Sequence, residues 1–80
     1  MNFYCKLIVK NTESAEYAVG SSLDHLDGIV RFYAEEHKPE IIKLWDDAAL
    51  LRERIYSVNR KYREQLAKGE FPERMSYIVG

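Results

Sequence analysis

The sequence predicts an α+β fold: a small antiparallel sheet of two or three strands packed against a short helix at about 22–37 and a long helix at about 39–68. Three observations carry this expectation. Residues 2–10 alternate apolar and polar side chains with the period of a half-buried strand. Residues 22–37 repeat apolar positions at the spacing of one helix face. Residues 40–68 run without a Gly or Pro. The 80 residues are expected to form a single small globular domain.

In the first strand, Phe3, Cys5, Leu7 and Val9 share one face, and Asn2, Lys6 and Lys10 the other. The Asn11-Thr12-Glu13-Ser14 run is turn chemistry. The next stretch, AEYAVG at 15–20, has two readings. It returns as a second strand of a hairpin, or it opens a helix through Ala15, Ala18 and Val19. The break at Gly20-Ser21-Ser22 favours the hairpin. Ser21 and Ser22 then supply cap chemistry, and Leu23, Leu26, Val30 and Tyr33 fall on one helical face with Ile29 beside them. Pro39 disfavours helical geometry at Lys38, so this helix is expected to stop near 37. Pro39 itself suits the first turn of the long helix.

The long helix would measure about 45 Å. Gly69 is its stop, with Pro72 just beyond. Residues 75–79 alternate again, as a short strand beside the first one or as a loose terminus. The core is expected to draw on Trp45, Ile41, Leu44 and Leu51 from the long helix. Phe3, Leu7, Leu26, Val30 and Tyr33 would join them from the rest of the chain.

A seven-residue rhythm runs through 41–65. With Ile41 at position a, the a and d positions read Ile41, Leu44, Ala48, Leu51, Ile55, Val58, Tyr62 and Gln65. The flanking g positions are acidic at the start, Glu40 and Asp47, and basic afterwards, Arg54, Lys61 and Lys68. Two such helices packed antiparallel would set Glu40 against Lys68 and Asp47 against Lys61, a self-complementary two-fold contact. The plainer reading is that the stripe covers the chain's own sheet and that the charges complement the helix dipole.

Charge separates the functional alternatives. The chain carries a net −1, whereas residues 52–68 hold six basic and two acidic side chains. Arg52, Tyr56, Arg60 and Arg63 form an outward stripe, a candidate surface for a protein partner or for phosphates and bases. Against nucleic acid, residues 1–51 hold nine acidic and five basic side chains, and no zinc-finger or RNP signature accompanies the stripe. His25 and His37 fit no metal-ligand spacing, and Cys5 reads as a small buried hydrophobe rather than a nucleophile.

The leading expectation is therefore a small non-enzymatic interaction module, a regulator or inhibitor. It would act on another protein or on its own copy through the helix seam. Nucleic-acid binding is the second reading and an unrecognised enzyme the third. No cofactor and no metal are expected. The single Cys points to a reducing, cytoplasmic setting, and the longest apolar run, 48–51, is far too short for a bilayer. Lys6 interrupts the apolar run at the N-terminus, so no signal-peptide core is expected there.

Overall fold

The chain's computed structural model describes residues 2–35, 38–45 and 49–78. Strand β1 (Phe3–Lys10) is followed by β2 (Ser14–Gly20), β3 (Gly28–Tyr33) and β4 (Glu40–Lys43). Two helices come next, α1 (Ala49–Lys61) and α2 (Arg63–Ala67), and β5 (Arg74–Tyr77) closes the chain. The strands form one five-stranded sheet in the order β4-β3-β2-β1-β5, with every neighbouring pair antiparallel. The first four strands make a meander. The helices then cross one face, and β5 returns to the free side of β1.

This architecture corrects the expected one. The sheet has five strands rather than two or three, and the segment read as a helix at 22–37 contains β3 instead. Gly28–Tyr33 alternates: Val30 and Phe32 are fully buried, while Ile29, Arg31 and Tyr33 face the other side. Its β-branched and aromatic residues suit a strand between β2 and β4, and those two neighbours satisfy its main chain on both sides. The helical spacing of Leu23, Leu26, Val30 and Tyr33 does not correspond to a buried face. Leu23 is half exposed and Tyr33 lies on the uncovered side.

The long helix at 39–68 is corrected in the same way. Glu40–Lys43 pairs with β3 as an edge strand, and the helical part is α1 with the short α2. A rod of about 45 Å does not fit a molecule whose extents are 28 × 23 × 19 Å. At Tyr62 the helix turns, with φ −105° and ψ 13°. The backbone bonds from Tyr62 N to Val58 O and from Leu66 N to Tyr62 O still carry the chain across the bend. Gly69 does end the helical segment: with φ +73° it donates to Leu66 O, and Glu70 N donates to Gln65 O. These are the paired bonds of a Schellman motif, which require a left-handed residue at that position.

Other expectations hold. The N-terminal strand is β1, the hairpin reading of 15–20 is β2, and the strand reading of the tail is β5. Asn11 makes the first turn, its Oδ1 accepting from Glu13 N at 2.8 Å and Ser14 N at 2.9 Å. A bulge between Leu7 and Val9 changes one assignment. Leu7 still faces the core opposite Tyr17, but Val9 pairs with Glu16 on the uncovered face and is 56% exposed. The expected helix end near His37 and the last residue of the tail, Val79, lie outside the described residues.

The core fills the space between the sheet and the helices. Phe3, Cys5, Tyr17, Val19, Val30, Phe32 and Met75 come from the strands, and Leu51, Ile55, Val58 and Leu66 from the helices. Leu7, Ile41 and Leu44 pack against this core, whereas Trp45 is 39% exposed and Leu26 only half-buried. Tyr17 meets Phe32 edge-on at 5.6 Å, and its hydroxyl donates to Pro72 O. That bond ties the segment leading into β5 to the middle of the sheet. Phe32 and Phe71 are both buried.

Candidate functional site

The residues of the proposed helix seam are used inside the chain. Leu51, Ile55 and Val58 are at most 1% exposed, on the face of α1 that meets the sheet. Leu44 and Tyr62 pack on the same core, and the Tyr62 hydroxyl accepts from Ser76 N at 3.2 Å. The basic g positions also find partners within the chain. The Arg54 guanidinium stands 5.5 Å from the Tyr77 ring centre, and Lys61 Nζ donates to Ser76 O at 2.9 Å. Lys68 pairs with Glu64 at 3.6 Å. Glu40 lies on β4, so it shares no helix with Lys68; Asp47 and Ala48 lie outside the described residues. The plainer reading of the stripe, that it covers the chain's own sheet, describes this geometry.

The basic stripe is likewise divided. Arg63 reaches back to the end of β3, donating through Nη2 to Tyr33 O at 2.6 Å and Ala34 O at 2.8 Å, and through Nη1 to Asn59 Oδ1 at 3.2 Å. It closes main-chain carbonyls that the strand leaves open. Arg60 donates to Ser57 Oγ at 3.2 Å. Arg52 and Tyr56 instead border a shallow groove of about 660 Å³ with Tyr33, Pro39 and Ile41.

Both edges of the sheet are managed. On β5, the two main-chain groups of Ser76 are taken by Tyr62 and Lys61 of the helical segment, which blocks strand addition there. Strand β4 is four residues long and bulged between the partners of Ile29 and Val30. A short, irregular edge is a poor template for a further strand.

No described helix covers the other face of the sheet, and cross-strand register organises it into rows. One row runs Glu40, Arg31, Glu16, Val9. Arg31 there donates to Glu16 Oε2 at 2.6 Å and to Glu40 Oε1 at 2.9 Å, and the Tyr33 hydroxyl donates to the same Glu40 oxygen at 2.6 Å. The Tyr33 hydrogen bond, with Arg31 beside it, holds the Glu40 carboxyl below its ordinary range. The pairs are part-exposed, so they bind β2, β3 and β4 together only modestly.

The adjacent row crosses all five strands: Lys43, Ile29, Ala18, Lys6, Arg74. Over its apolar part lies a hollow of about 550 Å³. Ala18 and Ile29 form the floor, Ile8, Leu26 and Trp45 the sides, and Asp27 and Lys43 the rim. A side chain is excluded at Gly28, where a Cβ would meet Val19 Cγ2 at 2.9 Å, Lys43 O at 3.0 Å and the Trp45 ring at 3.1 Å, so the indole packs close to the β3 backbone. Gly20 has a related role, since a Cβ there would overlap the His25 carbonyl and displace the loop carrying Leu26.

Sequence reasoning did not single out the residues of this row. The signal was present in the alternation of residues 28–33, but the helical spacing of the same stretch competed with it. Cys5 is fully buried and its thiol is pushed well above its ordinary value by that burial, so it does not present a thiolate. Among the described residues no cluster of potential ligands has metal-site geometry, and no helix is long and apolar enough to cross a membrane.

The chain matches no known protein family, no curated protein and no solved structure.

Proposed function

We propose that this chain is a small, non-enzymatic interaction module of the cytoplasm, a regulator or inhibitor that occupies a surface of another protein. The observation that carries the reading is the hollow over Ala18 and Ile29, an apolar recess on a sheet face that no described helix covers. Burying an exposed aliphatic side chain in such a recess contributes about 1.5–3 kcal/mol, enough to anchor a contact whose rim supplies orientation. Trp45 at its side and Ile8, 53% exposed, extend the apolar contact area. The helix-seam homodimer is not part of this reading, because the seam residues already fill the chain's own core.

A paired pull-down tests it. Wild-type chain and an Ala18→Phe variant, which fills the hollow, are incubated with the same lysate, with and without nuclease treatment. The expected result is a protein retained by the wild type and lost from the variant, with both melting cooperatively. Partners that disappear on nuclease treatment of the wild-type sample would replace this reading with nucleic-acid binding. Identical recoveries with both chains would remove the hollow as the contact.

A further inference from the structure

We infer that the open face takes an extended acidic peptide segment bearing one bulky apolar side chain, which enters the hollow while flanking carboxylates meet Lys43, Lys6 and Arg74. The inference rests on the interaction reading above and adds the chemistry of the partner.

The two rows of the open face differ in how their charges are answered. In the first, Glu16 and Glu40 both bind Arg31, so every charge has a partner. In the second, Lys6 and Arg74 stand directly opposite one another, and no described acid pairs with either of them or with Lys43. Like charges directly opposite on adjacent strands repel. The fold retains this repulsion on an exposed surface beside an apolar recess, and an anionic ligand relieves it.

Strand spacing sets the pattern. Neighbouring strands lie about 4.8 Å apart, so Lys43 and Lys6 each stand about 7 Å from the middle of the Ile29–Ala18 pair. Arg74 lies about 12 Å from the same point. An extended peptide advances about 3.4 Å per residue and points alternate side chains to one face. A segment laid along the row therefore reads acid-x-apolar-x-acid-x-acid, with all its named side chains facing the sheet. Acids two residues either side of the anchor reach Lys43 and Lys6, and the last reaches Arg74.

A polynucleotide fits less well. None of the row's five positions carries a ring, so successive bases would find no run of stacking platforms along it, only Trp45 at the side of the hollow. The hollow is also apolar at its floor, suited to a hydrocarbon side chain.

The test uses the single Trp of the chain, Trp45, which sits at the side of the hollow and reports its occupancy by fluorescence. The probe is the capped peptide Ser-Glu-Ser-Phe-Ser-Glu-Ser-Glu-Ser, which lacks Trp. The expected result is a saturable change in emission that weakens about fivefold or more in Lys6→Gln and in Arg74→Gln, and weakens with added salt. Lys6 and Arg74 are exposed, and unchanged thermal melts would show that both variants fold. Equal binding of a peptide with Gln in place of Glu would overturn the acidic specificity while leaving the hollow as a contact. Equal binding with Ala in place of Phe would overturn the anchor. Silence with every peptide overturns the inference, and the paired pull-down then judges the broader reading separately. Tighter, saturable binding of a 15-nucleotide oligo-dT would overturn both.

Discussion

The two faces of the sheet are built from the same strands yet obey different rules. Val30 and Ile29 are neighbours in β3, but Val30 is fully buried beneath the helices while Ile29 floors an open hollow. On the covered face Phe3, Tyr17 and Phe32 pack against Leu51, Ile55 and Leu66, and there is no room for change. The open face combines small residues, ion pairs and lysines that no described acid pairs with. It buries less apolar surface and contributes less to stability. The comparison teaches that strand alternation does double duty here: one parity builds the core and the other displays the surface.

Substitutions at paired positions break or sharpen that contrast. The largest effect is expected on the covered face. Phe32→Ala should cost about 3–5 kcal/mol, read as a shift of the urea midpoint, while Ile29→Ala on the open face should cost well under half as much. Equal costs would mean that the open face is packed in solution. Arg63→Met comes next. It leaves the Tyr33 and Ala34 carbonyls without the guanidinium and should destabilise by about 1–3 kcal/mol, measured in the same way.

The smallest effect belongs to the open face and depends on pH. Glu40 titrates below its ordinary value when folded, so its contribution is fully present above the unfolded carboxylate range, near pH 4.3. That contribution is lost as pH falls through the lowered folded value. The gap in melting temperature between wild type and Glu40→Gln should therefore narrow on acidification and stay constant above about pH 6. A gap that widens in acid would contradict the Tyr33–Glu40–Arg31 arrangement.

Local chemistry was legible where the deciding interactions are local. The Asn11 turn, the stop at Gly69 and the inward stripe of Leu51, Ile55 and Val58 follow from side-chain chemistry and spacing within a few residues. Residues 28–33 and 40–43 misled for the opposite reason. A four-residue run such as Glu-Ile-Ile-Lys fits a strand and a helix equally, and helix propensity downstream pulled it the wrong way. Lys43 and Ile29 lie on strands that the spacing of the sequence predicted as helix, so neither the complete row nor the hollow was visible.

The sequence by itself determined a first strand, the end of the helical segment, and a core helix face that buries its aliphatic stripe, and it favoured a hairpin at 15–20. The tertiary structure decided that β3 and β4 exist, that the bulge turns Val9 outward, and that Lys43, Ile29, Ala18, Lys6 and Arg74 form one line. The physical reason is the range of the bonds. A helix closes its hydrogen bonds four residues away, and its signals lie within one window of sequence. A strand is satisfied by whichever segment lies beside it. Here Tyr4 pairs with Ser76, so only the folded chain brings the two into register.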